Sequence, residues 1–203
     1  MKTNSNSYTI IYSTVIVVIV AFLLAFVYQA FKPAQDANVA LDQKKQILNS
    51  LNIRDLSNEA SEAKYKETVL AEKKVDGSLY YDCKVNGKHY VVLPLKGMGL
   101  WGGISGFLAV DDNAVVYGAY FNHESETAGL GAEIKDNRAW QEKFHGKKLF
   151  KPGSNDVALS VLKKVSDPST QVDAVTGATL TSNGVSNMLH DGIAKYKSLF
   201  KVK

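Results

Sequence analysis

An uninterrupted apolar run near the N-terminus constrains this chain more than any other feature. From Ile10 to Tyr28 the sequence reads IIYSTVIVVIVAFLLAFVY, with no charged residue. At about 1.5 Å per residue, this run approaches the roughly 20 residues that cross a hydrocarbon core. A signal-peptide core is shorter, and the residues that follow offer no small-x-small cleavage site. The run also lacks the polar face of an ordinary surface helix. We therefore predict one transmembrane helix at residues 10–31, after a short tail at residues 1–9.

Lysines on the two sides of this run give a weak signal for its orientation. Lys2 precedes the run, whereas Lys32, Lys44 and Lys45 follow it. Because Lys and Arg near a span favour the cytoplasmic side, the count by itself favours a cytoplasmic C-terminal domain.

Composition excludes several classes of function. The 203 residues are 45% hydrophobic and 22% charged, and the net charge is only +4 with both signs interspersed, which argues against a nucleic-acid partner. Cys83 is the single cysteine, so no internal disulfide can form. The histidines do not show the spacing of metal ligands, and we expect no metal site. They are His89, His123, His145 and His190.

Residues 32–77 are predicted to be a linker followed by helices. Pro33 and the small residues after it indicate a short linker. A helical stripe of apolar residues follows, and the next segment, SNEASEAKYKETVLAEKK, indicates a polar helix with Ser57 or Ser61 as its N-cap. We expect both helices to be solvated and to lead into the domain. The stripe comprises Leu41, Ile47, Leu48 and Leu51.

Residues 78–203 carry the pattern of an α+β domain, an antiparallel sheet flanked by helices. Two β-rich runs flank Asn86-Gly87, a preferred hairpin pair, and two more flank residues 111–113. A helix is predicted from residue 133 until Gly146, and residues 157–165 fit a strand or a helix equally well. The last helix is amphipathic. Its apolar stripe comprises Val185, Met188, Leu189, Ile193, Tyr196 and Phe200.

The stretch DAVTGATLTSNG precedes that last helix and is rich in glycine and hydroxyl groups. A helix start presents unpaired N–H groups and the positive end of the macrodipole, both of which suit a phosphate. Gly177 and Ala178 keep side-chain bulk away, while Thr176 and Thr179 supply hydroxyls. A plain cap formed by one of residues 181–183 (Thr181, Ser182 or Asn183) after a glycine turn would give the same pattern, so the stretch alone leaves both interpretations open.

Two further glycine-rich stretches favour a ligand. The first, FNHESETAGLGAEI, presents bare backbone beside Leu130, and the second, KGMGLWGGISG, surrounds a Leu100-Trp101 pair with glycines. A flat aromatic ligand needs a face to lie on and hydrogen bonds at its edges, which such loops can supply.

These three stretches resemble motifs of the FMN-binding domain family. DAVTGAT resembles its flavinylation motif D-x-x-[ST]-G-A-T, which implies that a flavin transferase joins the phosphate of FMN to Thr179 as a phosphoester. ESETAGLGAE is similar to the family's E-T-P-G-L-G loop, with Ala128 in place of the usual proline. The resemblance implies a motif aspartate at Asp173 and a set of FMN contacts. The set is Trp101, Glu126, Thr127, Gly129, Leu130, Thr176, Gly177, Ala178 and Leu180.

The segment KGMGLW resembles the K-G-x-G-L-W segment of the NqrC family, the C subunits of the Na⁺-translocating NADH:quinone oxidoreductases. This likeness implies a flavoprotein subunit that relays electrons beside other membrane subunits of the same redox pump, anchored in the lipid of a bacterial inner membrane. The flavin transferase of the family works outside that membrane, so the resemblance places the C-terminal domain on the periplasmic or external side, against the lysine count. One helix cannot form an ion path alone, so ion transport would belong to the partners.

Several alternatives remain open from the sequence. The flavinylated G subunits of the Rnf-type ferredoxin:NAD⁺ oxidoreductases share the anchor and the modified threonine. An anchored FMN carrier outside any pump, or a non-redox binding module that uses the hairpins, fits the pattern as well. Asp173 could orient the acceptor threonine, hold a metal during flavin transfer, or cap the helix, and Trp101 is expected to be a packing wall rather than an electron relay.

Overall fold

The computed structural model describes residues 5–200, which form two compact units that divide between Asp42 and Gln43. The first unit consists of the greater part of helix α1, which runs from Asn6 to Ser50. This helix is long and apolar enough to cross a membrane, and no part of its apolar window is buried. Residues 1–4 of the predicted tail lie outside the described residues.

The linker predicted after Pro33 is wrong, because α1 continues through this residue. Proline removes one backbone hydrogen bond from a helix. The alanine and glutamine residues around Pro33 are good helix formers, and they allow the helix to resume.

The second unit begins with the last turns of α1, and these are not solvated as the sequence predicted. Ile47, Leu48 and Leu51 are fully buried, and Ile47 and Leu51 pack with Tyr81 and Cys83 on one face of a sheet. Helix α2 (Asn58–Thr68) follows, and Ser57 is its N-cap, as predicted, accepting a hydrogen bond from the N–H of Ala60 at 3.2 Å. The cap fixes the start of α2 because it satisfies an otherwise unpaired amide.

Five antiparallel strands form a meander in the order β1-β2-β3-β4-β5. The strands are β1 (Val69–Val75), β2 (Ser78–Val85), β3 (Lys88–Met98), β4 (Gly103–Val110) and β5 (Val116–His123). Both predicted hairpins are confirmed. Asn86 and Gly87 adopt φ values of 50° and 81°, the left-handed pair that a two-residue turn requires.

Strand β1 corrects the prediction that the second helix continues past residue 68. Its residues VLAEKKV pair with β2 at the edge of the sheet, and most of its charged side chains are exposed. Charged residues are common on edge strands because they prevent further strand pairing. This composition resembles that of a solvated helix, which explains the error.

After β5 the chain forms short elements rather than the one helix predicted up to Gly146. Helices α3 (Glu133–Asp136) and α4 (Arg138–Glu142) are separated at Asn137, whose side chain caps α4 by accepting from the N–H of Trp140 at 3.0 Å. The ambiguous segment 157–165 contains strand β6 (Ser160–Leu162), which pairs in parallel with β7 (Gln171–Asp173).

The last helix, α5 (Thr179–Ile193), continues as a 3₁₀ helix (Ala194–Leu199) and packs on the sheet face opposite the last turns of α1. The predicted apolar stripe is confirmed as buried. Gly184 permits a close approach between α5 and the end of β3, because a Cβ on Gly184 would lie 2.3 Å from the carbonyl oxygen of Met98. The molecule is therefore an α+β protein with one long apolar N-terminal helix, and α5 begins beside the β3–β4 turn.

Candidate functional site

The β3–β4 turn presents the predicted Leu100-Trp101 pair to solvent. The N–H of Gly99 donates to the carbonyl oxygen of Gly102 at 2.9 Å, which closes the turn. Leu100 is exposed, and Trp101 is 67% exposed. Large apolar side chains held at a tight turn form a surface on which a flat ligand can lie.

The loop after β5 places one predicted residue inside the protein and the next on its surface. Glu126 is buried, whereas Thr127 is exposed. The carbonyl oxygen of Thr127 accepts from the N–H groups of Leu130 and Ala132 at 3.1 and 3.0 Å, which folds the loop back on itself. Leu130 is thereby held outward with 42% of its surface exposed.

Helix α5 begins earlier than predicted, and no side chain caps it. Its N-cap is Ala178, so the prediction of Thr181, Ser182 or Asn183 as the cap is wrong. Ser182 is buried one turn into the helix, where its hydroxyl accepts from the N–H of Val175 at 3.1 Å. Thr179 is the first residue of α5 and is exposed. The helix start therefore combines amides that lack a side-chain cap with an exposed threonine, which suits a phosphate group.

The carboxylate of Glu126 joins these segments. One oxygen, Oε2, accepts from the hydroxyl of Thr181 at 2.5 Å, and the other, Oε1, accepts from the N–H of Trp101 at 2.9 Å. Burial alone would raise the pKa of Glu126, but the hydrogen bonds from Thr181 and from the backbone of Trp101 and Leu100 outweigh burial and hold the pKa below its usual value. The group is therefore an ionised carboxylate inside the protein.

Leu130 also contacts the flavinylation-like motif directly. A Cβ on Gly177 would lie 2.8 Å from Cδ2 of Leu130, and Gly177 has a φ of +78° that favours glycine. Thr176 directly precedes Gly177, and Leu180 directly follows Thr179. Both residues are exposed. The structure thus brings the loop after β5 and the start of α5 into contact.

Asp173 takes a position that the sequence did not predict. It ends β7, and its Oδ2 lies 2.7 Å from Nζ of Lys143, while its carbonyl oxygen accepts from Nε1 of Trp140 at 2.8 Å. Asp173 does not cap α5, since α5 has no side-chain cap. It lines a cavity of about 300 Å³ that also involves Gly129 and Thr176.

Sequence reasoning missed three residues that complete this region. Thr181 and Ser182 were considered as helix caps, and Lys143 was placed on the helix predicted to end at Gly146. The sequence shows how far these residues lie from the predicted segments, but not which residues they contact. Lys143 contacts Asp173, 30 residues away, and Thr181 contacts Glu126, 55 residues away. Within residues 5–200, no group of three or more His, Cys, Asp or Glu side chains is arranged to hold a metal ion. Burial raises the pKa of Cys83 to about 12, so this thiol is protonated and unreactive.

The region matches a known class of flavin protein. Residues 99–194 match the sequence model of the FMN-binding domain. This range begins at the β3–β4 turn and includes Glu126, Leu130 and the whole of α5, so it contains the segments that meet at Glu126.

Known proteins narrow the class further. The C subunit of the Na(+)-translocating NADH-quinone reductase from Haemophilus ducreyi is 40% identical over 154 residues, which are 72% of this chain and 55% of the relative. Its counterpart from Neisseria meningitidis serogroup A is 42% identical over 64% of this chain and 47% of the relative. The chain therefore spans about half the length of the curated relatives it matches.

Two crystal structures share the fold. That of the C subunit of the Na(+)-translocating NADH-quinone reductase from Parabacteroides distasonis has a TM-score of 0.76 and 33% identity, covering 84% of this chain and 97% of its own. Shewanella oneidensis NqrC has a TM-score of 0.62 over 79% of this chain and 95% of its own, and at 22% identity it shows the fold alone. The chain belongs to the NqrC family, the C subunits of the Na(+)-translocating NADH-quinone reductases.

Proposed function

We propose that this chain carries FMN joined through a phosphoester to Thr179 and relays electrons within a Na⁺-translocating NADH-quinone reductase. One observation carries the proposal: Thr179 is an exposed residue at the start of a helix that no side chain caps, next to the contact between Gly177 and Leu130. The match to the FMN-binding domain and the names of the relatives support it.

The residues at the site fit the parts of FMN. Thr176, Gly177 and Ala178 precede the helix start and would surround the phosphate, whose charge the helix N-terminus favours. Four exposed residues would border the isoalloxazine ring. They are Trp101, Thr127, Leu130 and Leu180, with Gly129 providing backbone without bulk.

FMN supplies one- and two-electron transfer, while the protein holds it, tunes its potential and sets its distance from other carriers. A phosphoester fixes the cofactor without altering the ring. Exposed apolar side chains around the ring would leave one edge accessible to a partner, which an electron relay requires.

Two predicted residues would act without bordering the ring. The carboxylate of Glu126 is occupied by Thr181 and by the backbone of Trp101. Asp173 lies beside Lys143, on the wall of a cavity that also includes Thr176. We propose that Asp173 orients the acceptor or holds a metal while the flavin transferase acts, with Lys143 releasing it for that step.

The apolar part of α1 is proposed to anchor the protein in the lipid of a bacterial inner membrane, with the C-terminal domain on the external side. The flavin transferase would then reach Thr179, and the other membrane subunits of the pump would donate and accept the electrons. Ion transport would belong to those subunits, since a single helix cannot enclose a path.

The test is covalent flavin on the full-length protein, coexpressed with a flavin transferase and run on a denaturing gel. Thr179→Val keeps the shape and β-branching of the side chain but removes the only atom that can form the ester, so its band should show no flavin fluorescence. The fold should survive, because a lost hydroxyl costs only about 1 kcal/mol.

Thr176→Val is the matched control, since it removes the hydroxyl of another exposed threonine in the same motif and should leave a weaker but fluorescent band. A fluorescent Thr179→Val band would refute the attachment site. The buried Thr181, whose hydroxyl is held by Glu126, is not an accessible substitute acceptor. A dark wild-type band would refute the covalent flavin itself.

A further inference from the structure

Glu126 and Thr181 form a buried, hydrogen-bonded polar pair. Glu126 is 7% exposed and Thr181 is 1% exposed. A carboxylate held away from water costs free energy unless hydrogen bonds compensate for the lost hydration. Here the compensation comes from two different segments, one for each carboxylate oxygen.

The surrounding glycines make room for this carboxylate. A Cβ on Gly99 would lie 2.5 Å from Oε1, and a Cβ on Gly131 would lie 2.4 Å from Oε2. A Cβ on Gly131 would also lie 2.6 Å from the hydroxyl oxygen of Thr181. Two of the glycines that gave the sequence its ligand-binding character therefore serve the carboxylate rather than a ligand.

The pair connects the two elements that would carry the flavin. Trp101 lies on the β3–β4 turn, and Thr181 lies two residues after Thr179 in the first turn of α5. Because each is bound to the same carboxylate, a shift of one segment must disturb the hydrogen bond of the other. A buried polar group shared between segments fixes their relative position only when all its partners are present.

We infer that Glu126, acting through Thr181, is a positioning residue that holds the first turn of α5, and with it Thr179, in register with the Leu100-Trp101 turn. This inference rests on the proposed function. It differs from the expectation that Glu126 is an FMN contact, because the two carboxylate oxygens are already bound by Trp101 and Thr181 and are assigned no contact with the cofactor.

The first experiment compares full-length Thr181→Val and Thr181→Ser during flavin incorporation at limiting flavin transferase. Thr181→Val keeps the volume but removes the donor to Glu126, and Thr181→Ser keeps the donor. We expect the initial rate of incorporation per folded protein to fall about tenfold in Thr181→Val, as the loss of a buried hydrogen bond to a charge implies, and to stay within about twofold in Thr181→Ser.

Ser186→Ala is the matched control. It removes a side-chain hydrogen bond from the same helix, the one that Ser186 accepts from the N–H of Val161 at 3.1 Å, without touching Glu126. Its rate should equal that of the wild type. Equal rates in Thr181→Val and Ser186→Ala would overturn the inference, while a dark wild-type band would instead count against the proposed function.

A second readout needs no flavin. Amide hydrogen exchange of Trp101 in the unmodified full-length protein should be about tenfold faster in Thr181→Val than in Thr181→Ser, although Thr181 makes no bond to that amide. Glu126→Gln should also accelerate exchange at Trp101. A side-chain amide has only one accepting oxygen, so it cannot accept from both the N–H of Trp101 and the hydroxyl of Thr181. If Thr181→Val does not fold, the exchange rate of the Trp101 amide is compared between Glu126→Gln and Thr181→Ser instead, and it should be faster in Glu126→Gln. Unchanged exchange at Trp101 would show that the two segments are not coupled through the carboxylate.

Discussion

Leu130 packs against the backbone of Gly177, so closely that a Cβ on Gly177 would lie 2.8 Å from Cδ2 of Leu130. The two residues belong to different motifs, the glycine-rich loop after β5 and the segment that leads into α5. Leu130 is partly exposed and its terminal methyl group can move, so an added Cβ would displace the leucine rather than break the fold.

Gly177→Ala should separate stability from function. At a φ of +78°, an alanine should lower the free energy of unfolding by about 1–2 kcal/mol. The added Cβ should also displace Leu130 and thereby slow covalent flavin incorporation. Gly87→Ala is the matched control, since its φ is +81° and no atom lies within 4 Å of the added Cβ. Urea unfolding should show a similar loss of unfolding free energy in both variants, whereas only Gly177→Ala should incorporate flavin more slowly. Normal incorporation in Gly177→Ala would show that the contact is dispensable.

Leu130→Asp should alter the flavin itself. A carboxylate beside the ring disfavours added electrons, so we expect the midpoint potential to fall by about 30 mV, which is about 1.4 kcal/mol for a two-electron couple. Leu70→Asp places the same charge on the exposed edge strand β1 and should leave the potential unchanged. Spectroelectrochemical titration measures both. Identical potentials in wild type and Leu130→Asp would remove Leu130 from the border of the ring.

His89 should make the stability of the second unit depend on pH. Its ring nitrogens lie 2.6 Å from Oδ1 of Asp112 and 2.8 Å from Oδ1 of Asp82, and Asp82 also contacts Lys73. Partial burial lowers the pKa of His89, but its hydrogen bonds to Asp112 and Asp82 outweigh burial and raise the pKa above its usual value. The ring therefore binds its proton more tightly in the folded state.

The sign follows from this raised pKa. The stabilisation is complete below the unfolded pKa of about 6.5 and is lost as the pH rises through the folded value. His89→Asn should therefore lower the free energy of unfolding by about 0.5–1 kcal/mol at pH 6, a small effect because the side chain is 44% exposed, and by less at pH 9. Urea titrations at both pH values, with the exposed His190→Asn as control, measure the difference. A loss that grows with pH would contradict the prediction.

The orientation of the C-terminal domain can be tested directly. A reporter that works only in the cytoplasm, fused after the last residue, should be inactive, and one that works only outside the membrane should be active. The lysines after the apolar run favour the opposite result. An active cytoplasmic reporter would place Thr179 out of reach of an external flavin transferase.

Local patterns determined much of this protein from sequence alone. The apolar run, the Asn86-Gly87 turn and the stripe of the last helix depend on residues close to one another in the chain, so their physics is readable without a fold. The three glycine-rich segments were recognisable for the same reason. The exposed threonine at the start of α5 was predicted as a ligand site, although the helix cap was placed three to five residues late.

Tertiary structure decided the remainder, because it depends on residues that are distant in sequence. Strand β1 is a strand only because β2 pairs with it, and its charged residues by themselves resemble a helix. The last turns of α1 are buried only because a sheet covers them. Glu126 and Thr181 are 55 residues apart, and only the packing of α5 beside the loop after β5 brings the hydroxyl of Thr181 to 2.5 Å from Oε2 of Glu126. The sequence therefore determined which groups are available for the site, and packing decided which of them face a ligand and which hold the others in place.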